Sequence, residues 1–442
     1  MRKIKINQKV TLLVLTLTLF FTLGLESIRE VRDHNTIRTY IEKKSNVENE
    51  IKDILTTLTN DKYEGRLAGN NGNKLAEKYM EKNFKDNGLE PYFKDNYYHS
   101  YNQIVYLNNE SNHYMKVSFK DNTSKEYVYG KDYMDLSRNN ELNLKGKITF
   151  DEKRTSENLI GVLDESNENL GGLIMGFKGA FLKKEVFEGY VRIGTGVKPI
   201  FQISPEMYEE LKTREASNVE IKSSYKVENK KVNNVIGRIR GESSKEAIVI
   251  SAHFDHVGKD GETIFKGAVD NSSGTSVLLA LAKELSNISK ENKFKKDIVF
   301  CAFNGEEQGL IGSREFVPVL KKDYEKLYNI NIDCVGKKDG ENLLLAGIKN
   351  HEHDFVKTME KYLEKNKLDF KTKDMEGASD HSSFIDNHIF GVTLGQENMF
   401  KGTRIHSAKD DEDLIDYDYI VRVYSSILEF ILENSHKNFT LE

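Results

Sequence analysis

From Val232 to the C-terminus the chain alternates apolar, strand-like runs with amphipathic, helix-like ones. NNVIGRIRG and EAIVISAHFD precede the helical SSGTSVLLALAKELSN, and the apolar runs KDIVFCAF and NINIDCVG follow it. HDFVKTMEKYLEKN, HIFGVTLG and DYDYIVRVYSSILEFILEN then read as helix, strand and helix. That alternation leaves little choice of architecture: an α/β fold with a mixed central sheet and helices on both faces. Ligands of such sheets gather beyond the carboxyl ends of the strands. The unusual acids and histidines of this sequence fall there.

The rest of the chain reads differently. VENEIKDILTTLT places Ile51, Ile54, Leu55 and Leu58 at helical spacing, and GNKLAEKYMEKNFKDNGL repeats the period until Gly88 ends it. Between them DKYEGRLAGNNGN is a Gly- and Asn-rich turn with acids and one arginine. Over residues 100–226, short alternating segments such as HYMKVSFK, KGKITF and GGLIMGF predict a β-rich module. Only KKEVFEGYV and PEMYEELKTREA look helical there. The module shows no obvious metal-ligand cluster and reads as an insertion used for binding or shielding. A chain of 442 residues exceeds one typical core, which agrees with two domains or one large insertion.

Arg2, Lys3, Lys5 and Lys9 precede an uncharged run from Val10 to Leu25. A basic head and an apolar run form an export signal. As a helix the run spans about 24 Å, a little short of the roughly 30 Å hydrocarbon core. It is long for a cleaved signal, and no A-x-A site or lipobox cysteine follows. We therefore expect residues 1–25 to be an uncleaved membrane anchor in preference to a cleaved signal, and 26–45 a polar stalk. The positive head stays cytoplasmic, so the remainder lies outside the cell membrane, or is secreted if the signal is cut. A net charge of −5 with interspersed signs gives no case for nucleic-acid binding. Cys301 and Cys334 lie in apolar runs and read as buried free thiols; sequence leaves a disulfide open. They lack the CxxC spacing of a zinc site.

Five strand ends or loops carry groups that suit a metal. AHFDHVG supplies His253, Asp255 and His256; GAVDNSSG supplies Asp270; FNGEEQG supplies Glu306 and Glu307; NINIDCVG supplies Asp333; GTRIHSAKDD supplies His406. Each alone has a plainer reading: a loop histidine, a helix cap, a solvated acid pair, a paired aspartate. Together, two histidines and three carboxylates form a set that suits zinc better than copper or an iron–sulfur cluster. If one carboxylate bridges, each of two metals receives three protein groups. Two metals about 3.5–4 Å apart acidify a water and clamp a carbonyl oxygen. A carboxylate that is not a ligand then takes the proton. Neighbouring glutamates in a loop point different ways, which gives the Glu306-Glu307 pair a joint use.

HFDH, GAVDNSSG, FNGEEQGLIGS, NIDCVG, SDHSSF and IHSAKDD, in this order, resemble the motifs of the two-zinc aminopeptidase family. That family includes bacterial and yeast secreted aminopeptidases, glutamate carboxypeptidase II and the transferrin receptor. The resemblance covers residues 46–99 and 227–442, and the interruption over 100–226 resembles the protease-associated domain often inserted there. It implies two zinc ions per chain. His253 and Asp333 would hold one, Glu307 and His406 the other, and Asp270 would bridge. Glu306 would be the general base and Asp255 the partner of a ligand histidine. The Asp270-Asn271 bond resembles a position that is often a cis peptide. Some relatives carry a tyrosine before the last histidine that polarises the substrate carbonyl; here Ile405 stands there, and His381 is the candidate donor.

The expected function is a zinc-dependent aminopeptidase acting on peptide substrates outside the cytoplasm. The alternative is a glutaminyl cyclase-like acyltransferase, which typically uses one zinc, or another exopeptidase of the same fold. A non-catalytic receptor would have lost ligands, and none of these positions is lost. Side-chain preference and oligomeric state are not legible.

Overall fold

The computed structural model describes residues 46–440 apart from 136–140, 152–158, 176–198, 261–262, 348–352, 376, 378 and 400–404. The anchor and stalk expected over 1–45 and the helix expected at KKEVFEGYV lie outside the described residues. Among the described residues, no helix is long and apolar enough to cross a membrane. The chain divides into two compact units, Met1–Glu50 and Ile51–Glu442. Of the first, only 46–50 are described, and they are helical.

The second unit is built on a mixed sheet with 15 strands among the described residues. We label its principal strands β1 (Tyr98–Phe119), β2 (Ala216–Ile239), β3 (Ser243–His253), β4 (Lys296–Phe303), β5 (Lys326–Ile332), β6 (Leu343–Gly347), β7 (Phe370–Asp374) and β8 (Phe390–Gln396). One stretch of the sheet runs in the order β7-β6-β8-β5-β3-β4-β2. The inner strands β4, β3, β5 and β8 are parallel to one another, and β2 lies antiparallel to β4. β1 and β2 form a long antiparallel ribbon from Tyr98↔Val235 to Phe119↔Ala216. Residues 115–221 carry a core of their own, including Met115, Val117, Tyr133, Phe201 and Ile221.

The inner strands are apolar at consecutive positions because both faces are covered. Val249, Val299, Cys301 and Phe303 pack with Phe316, Val317 and Leu320 of helix α2 (Ile311–Asp323). Phe300, one step out of phase, meets Phe84 of helix α1 (Asn71–Asp86), with ring centroids 6.3 Å apart. Helices on both faces are thus what the alternation predicted. The C-terminal helix α3 (Tyr417–Asn434) starts at Asp416, whose carboxylate accepts from Tyr419 N. Its Ile420, Val423, Tyr424, Ile427 and Ile431 are buried at helical spacing. The sequence did not single out α2, which carries Pro318 inside it, nor the short strands β6 and β7. Cys301 and Cys334 are free and buried, as expected.

Register places the site. His253 ends β3 opposite Phe303, the last residue of β4. Ile332 ends β5 opposite Leu394 of β8, so Asp333 emerges at the same edge.

Candidate metal centre

Buried donors meet where these strands end. His253 turns Nδ1 toward Asp255, 3.2 Å from its carbonyl oxygen and 3.7 Å from its carboxylate. That leaves Nε2 aimed at Asp333 Oδ1 (3.2 Å) and Asp270 Oδ1 (3.4 Å). The other oxygen of Asp270 lies 2.8 Å from His406 Nε2, which is also 2.9 Å from Glu307 Oε2. Glu307 Oε1 meets His256 Nδ1 at 2.9 Å. The donors fall into overlapping groups: His256, Asp270, Glu307 and His406; His253, Glu306 and Asp333; and Asp270, Asp333 and Cys334. Within each group the donor atoms lie within 4.8 Å of one another. Asp270 thus reaches a histidine on either side, and the peptide bond after it is cis.

The surrounding residues hold these donors in place. Asp255 accepts from the backbone N–H groups of Glu306 (3.2 Å) and Glu307 (3.3 Å), so one buried carboxylate orients both His253 and the glutamate loop. Asp410 accepts from Val269 N (2.7 Å) and Asp270 N (3.1 Å), fixing the loop that presents Asp270. Arg66 is fully buried and donates to the carbonyls of Leu58, Phe254, Lys266 and Gly267, tying together the loops of His256 and Asp270.

The electrostatics call for a cation. Among the described residues, no lysine or arginine forms an ion pair with Asp270, Glu306, Glu307 or Asp333. Burial pushes the Glu306 carboxyl well up; His253 draws it down less than burial and Glu307 raise it. Burial likewise brings Glu307 up to about 7 against the pull of His406. Asp333 goes the other way: His253 and a hydrogen bond from Ser379 outweigh burial and bring it down to about 2. Buried carboxylates crowded in this way are costly unless neutralised. Oxygen and imidazole donors at this spacing fit divalent zinc.

All five expected ligands, with Glu306 and Asp255, therefore come together. His381 lies on the wall of the same cavity of about 980 Å³, with Leu344, Ala346, Met375, Met399 and Ile405. Sequence reasoning gave no role to His256, Arg66 or Asp410. His256 stands inside a motif already singled out, whereas Asp410 hides in the charged run KDDED. Arg66 was visible only as one arginine in a Gly-rich turn.

Comparison with known proteins agrees with this geometry. Residues 234–431 match Peptidase family M28. Aminopeptidase YwaD of Bacillus subtilis is 31% identical over 195 residues, 42% of this chain and 40% of that protein. A glutamate carboxypeptidase 2 homologue of Caenorhabditis elegans is 37% identical over 111 residues, 24% of this chain and 14% of its own. The chain thus spans less than half the length of these M28-like relatives. A zinc aminopeptidase from Bacillus subtilis has a similar fold, with a TM-score of 0.60 and 19% identity over 86% of this chain and 94% of that one.

Proposed function

We propose that this protein is a two-zinc aminopeptidase that removes N-terminal residues from peptides outside the cytoplasm. The observation that carries this reading is the Asp270 carboxylate, with one oxygen toward His253 and the other toward His406. In the proposed assignment His253 and Asp333 hold one zinc, Glu307 and His406 the other, and Asp270 serves both. Zinc bound there supplies a Lewis acid for the substrate carbonyl and lowers the pKa of a water. Glu306 would take a proton from a water as its oxygen bonds to the carbonyl carbon, and would give that proton to the amine nitrogen as the C–N bond breaks, a task suited to a buried carboxyl whose proton affinity is raised. Asp255 keeps Glu306 on station through its backbone N–H. The cavity wall of His381, Leu344, Met375 and Met399 receives the N-terminal residue. The protease-associated-like insert over 100–226 and the membrane anchor over 1–25 belong to this proposal and rest on sequence pattern.

The purified chain is expected to release amino acids from chromogenic aminoacyl amides, to lose activity on chelation and to regain it with zinc. Glu306→Gln is expected to keep both metals while turnover falls about 10²–10⁴-fold. Full activity in that variant would remove Glu306 from the base role, and failure to rebind zinc would end the metallopeptidase reading.

A further inference from the structure

Three buried polar side chains on the inner strands take no part in the reaction as proposed: Ser251 on β3, and Asn329 and Asn331 on β5. Their hydrogen bonds run in one direction. Asn329 Nδ2 donates to Ser251 Oγ (2.9 Å), and Ser251 passes its own hydrogen to Asn331 Oδ1 (2.8 Å). The amide nitrogen of Asn331 then has two hydrogens and finds two hydroxyls, Ser379 Oγ at 2.7 Å and Thr393 Oγ1 at 3.1 Å. An amide NH₂ donates and does not accept, so neither hydroxyl hydrogen points back at Asn331, and each hydroxyl keeps its own hydrogen for another partner. Thr393 lies 2.7 Å from His381 Nδ1.

We propose that Asn331 is a positioning residue with two arms. One arm contacts Ser379, and through the other, Thr393, it holds His381 as the tautomer with hydrogen on Nε2. Nε2 faces the carbonyl oxygen of Met375, which can only accept, so the neutral ring carries its one hydrogen on Nε2 and Nδ1 is left to accept from Thr393. Burial lowers the proton affinity of this histidine, which keeps the ring neutral near pH 7. Among the described residues, Nε2 makes a long contact, 3.4 Å, to the carbonyl oxygen of Met375. A substrate carbonyl oxygen in the cavity that His381 lines is a better acceptor. One buried amide thus sets a neutral hydrogen-bond donor on the cavity wall. The use of that donor rests on the aminopeptidase reading; the tautomer does not.

The test combines ¹⁵N NMR of histidine-labelled, zinc-loaded full chain with kinetics on an aminoacyl amide. The His381 signals are identified by their loss in His381→Gln. Wild type is expected to show hydrogen on Nε2. Thr393→Val removes the hydroxyl at nearly constant volume. It is expected to mix the tautomers and lower kcat about tenfold, with KM within about twofold. Thr393→Ser restores both. Asn331→Asp makes residue 331 an acceptor, draws the Thr393 hydrogen away and is expected to move the ring hydrogen to Nδ1. Hydrogen on Nδ1 in wild type, or a Thr393→Val spectrum like wild type, overturns the relay. A shifted tautomer with unchanged kcat overturns the donor role of His381. If wild type cleaves no aminoacyl amide, the proposed function falls, and the spectra still decide the relay.

Discussion

On one side of Asp270, His253, Glu306 and Asp333 stand at or just beyond the ends of three parallel strands. On the other, His256, Glu307 and His406 are carried by loops. The strand-borne side takes its spacing from the ladder: His253↔Phe303 and Ile332↔Leu394 bring the strand ends level. Asp255, next to the same strands, removes remaining freedom from His253 and Glu306. The loop-borne side has no ladder to set it. Buried ionic groups take that part: Arg66 gathers four carbonyls, and Asp410 holds two backbone N–H groups. Burial brings the Arg66 guanidinium down to about 10, so it remains charged at neutral pH and its hydrogen bonds are the strong, charge-assisted kind. The ladder places the strand-borne donors, buried Arg66 and Asp410 hold the loops, and buried Asp255 serves both sides through Glu306 N and Glu307 N.

Asp270 is where the two sides meet, so it gives the largest expected effect. Asp270→Ala is expected to release both metals on dialysis and reduce peptidase activity to background, as counted by elemental analysis beside the assay. One tightly held metal surviving in that variant would show that the two sides are independent sites. His256 sharpens the contrast at smaller amplitude. Its Nδ1 lies 2.9 Å from Glu307 Oε1, and its donors group with Asp270, Glu307 and His406. His256→Gln is therefore expected to weaken one metal by about 10–100-fold and leave the other nearly unchanged. A stepwise zinc titration followed by calorimetry reads this directly. Equal weakening of both steps would break the distinction.

The strand-borne side was the more legible in sequence, for a physical reason. Acids and histidines at the ends of the apolar runs AIVISAHFD, DIVFCAFNGEE and NINID marked His253, Glu306, Glu307 and Asp333, each with a plainer reading alone and decisive only together. The same logic gave the α/β alternation and the helices on both faces. Its limits show in α2, where an internal proline masks a helix, and in β6 and β7, whose short runs carry no comparable signal. Support from outside the strands was harder to see. Asp410 sits among Lys409, Asp411 and Asp413, where charge suggests a wet surface, yet it is fully buried. Arg66 has its function only because Leu58, Phe254, Lys266 and Gly267 come together in space. Asn331 was read as part of an apolar strand; its hydrogen-bond direction depends on neighbours 48 and 62 positions away.

The smallest expected effect is a pH dependence of the metal-free fold, and its sign is fixed by both sides together. Burial lifts Glu307 to about 7, above an ordinary carboxyl, so its proton stabilises the folded state in acid, and that contribution fades as pH rises through about 7. His253 and His406 act in the same sense. Burial opposes their charge, but Asp333 and Glu306 for the first, and Glu307 and Asp270 for the second, raise both well above 6.5. Their stabilisation is complete below about 6.5 and is lost toward alkaline pH. Asp333, lowered to about 2, has the opposite sign, but its contribution is lost only in strong acid and does not change near neutrality. Zinc binding requires these same groups without their protons, so its affinity grows as pH rises. The melting temperature of the chelated protein is therefore expected to fall between about pH 6 and 8, while the gap to the zinc-loaded protein widens. A gap that narrows over that interval would mean that the metal binds elsewhere, because occupation of this cluster must replace the protons that hold it together in acid.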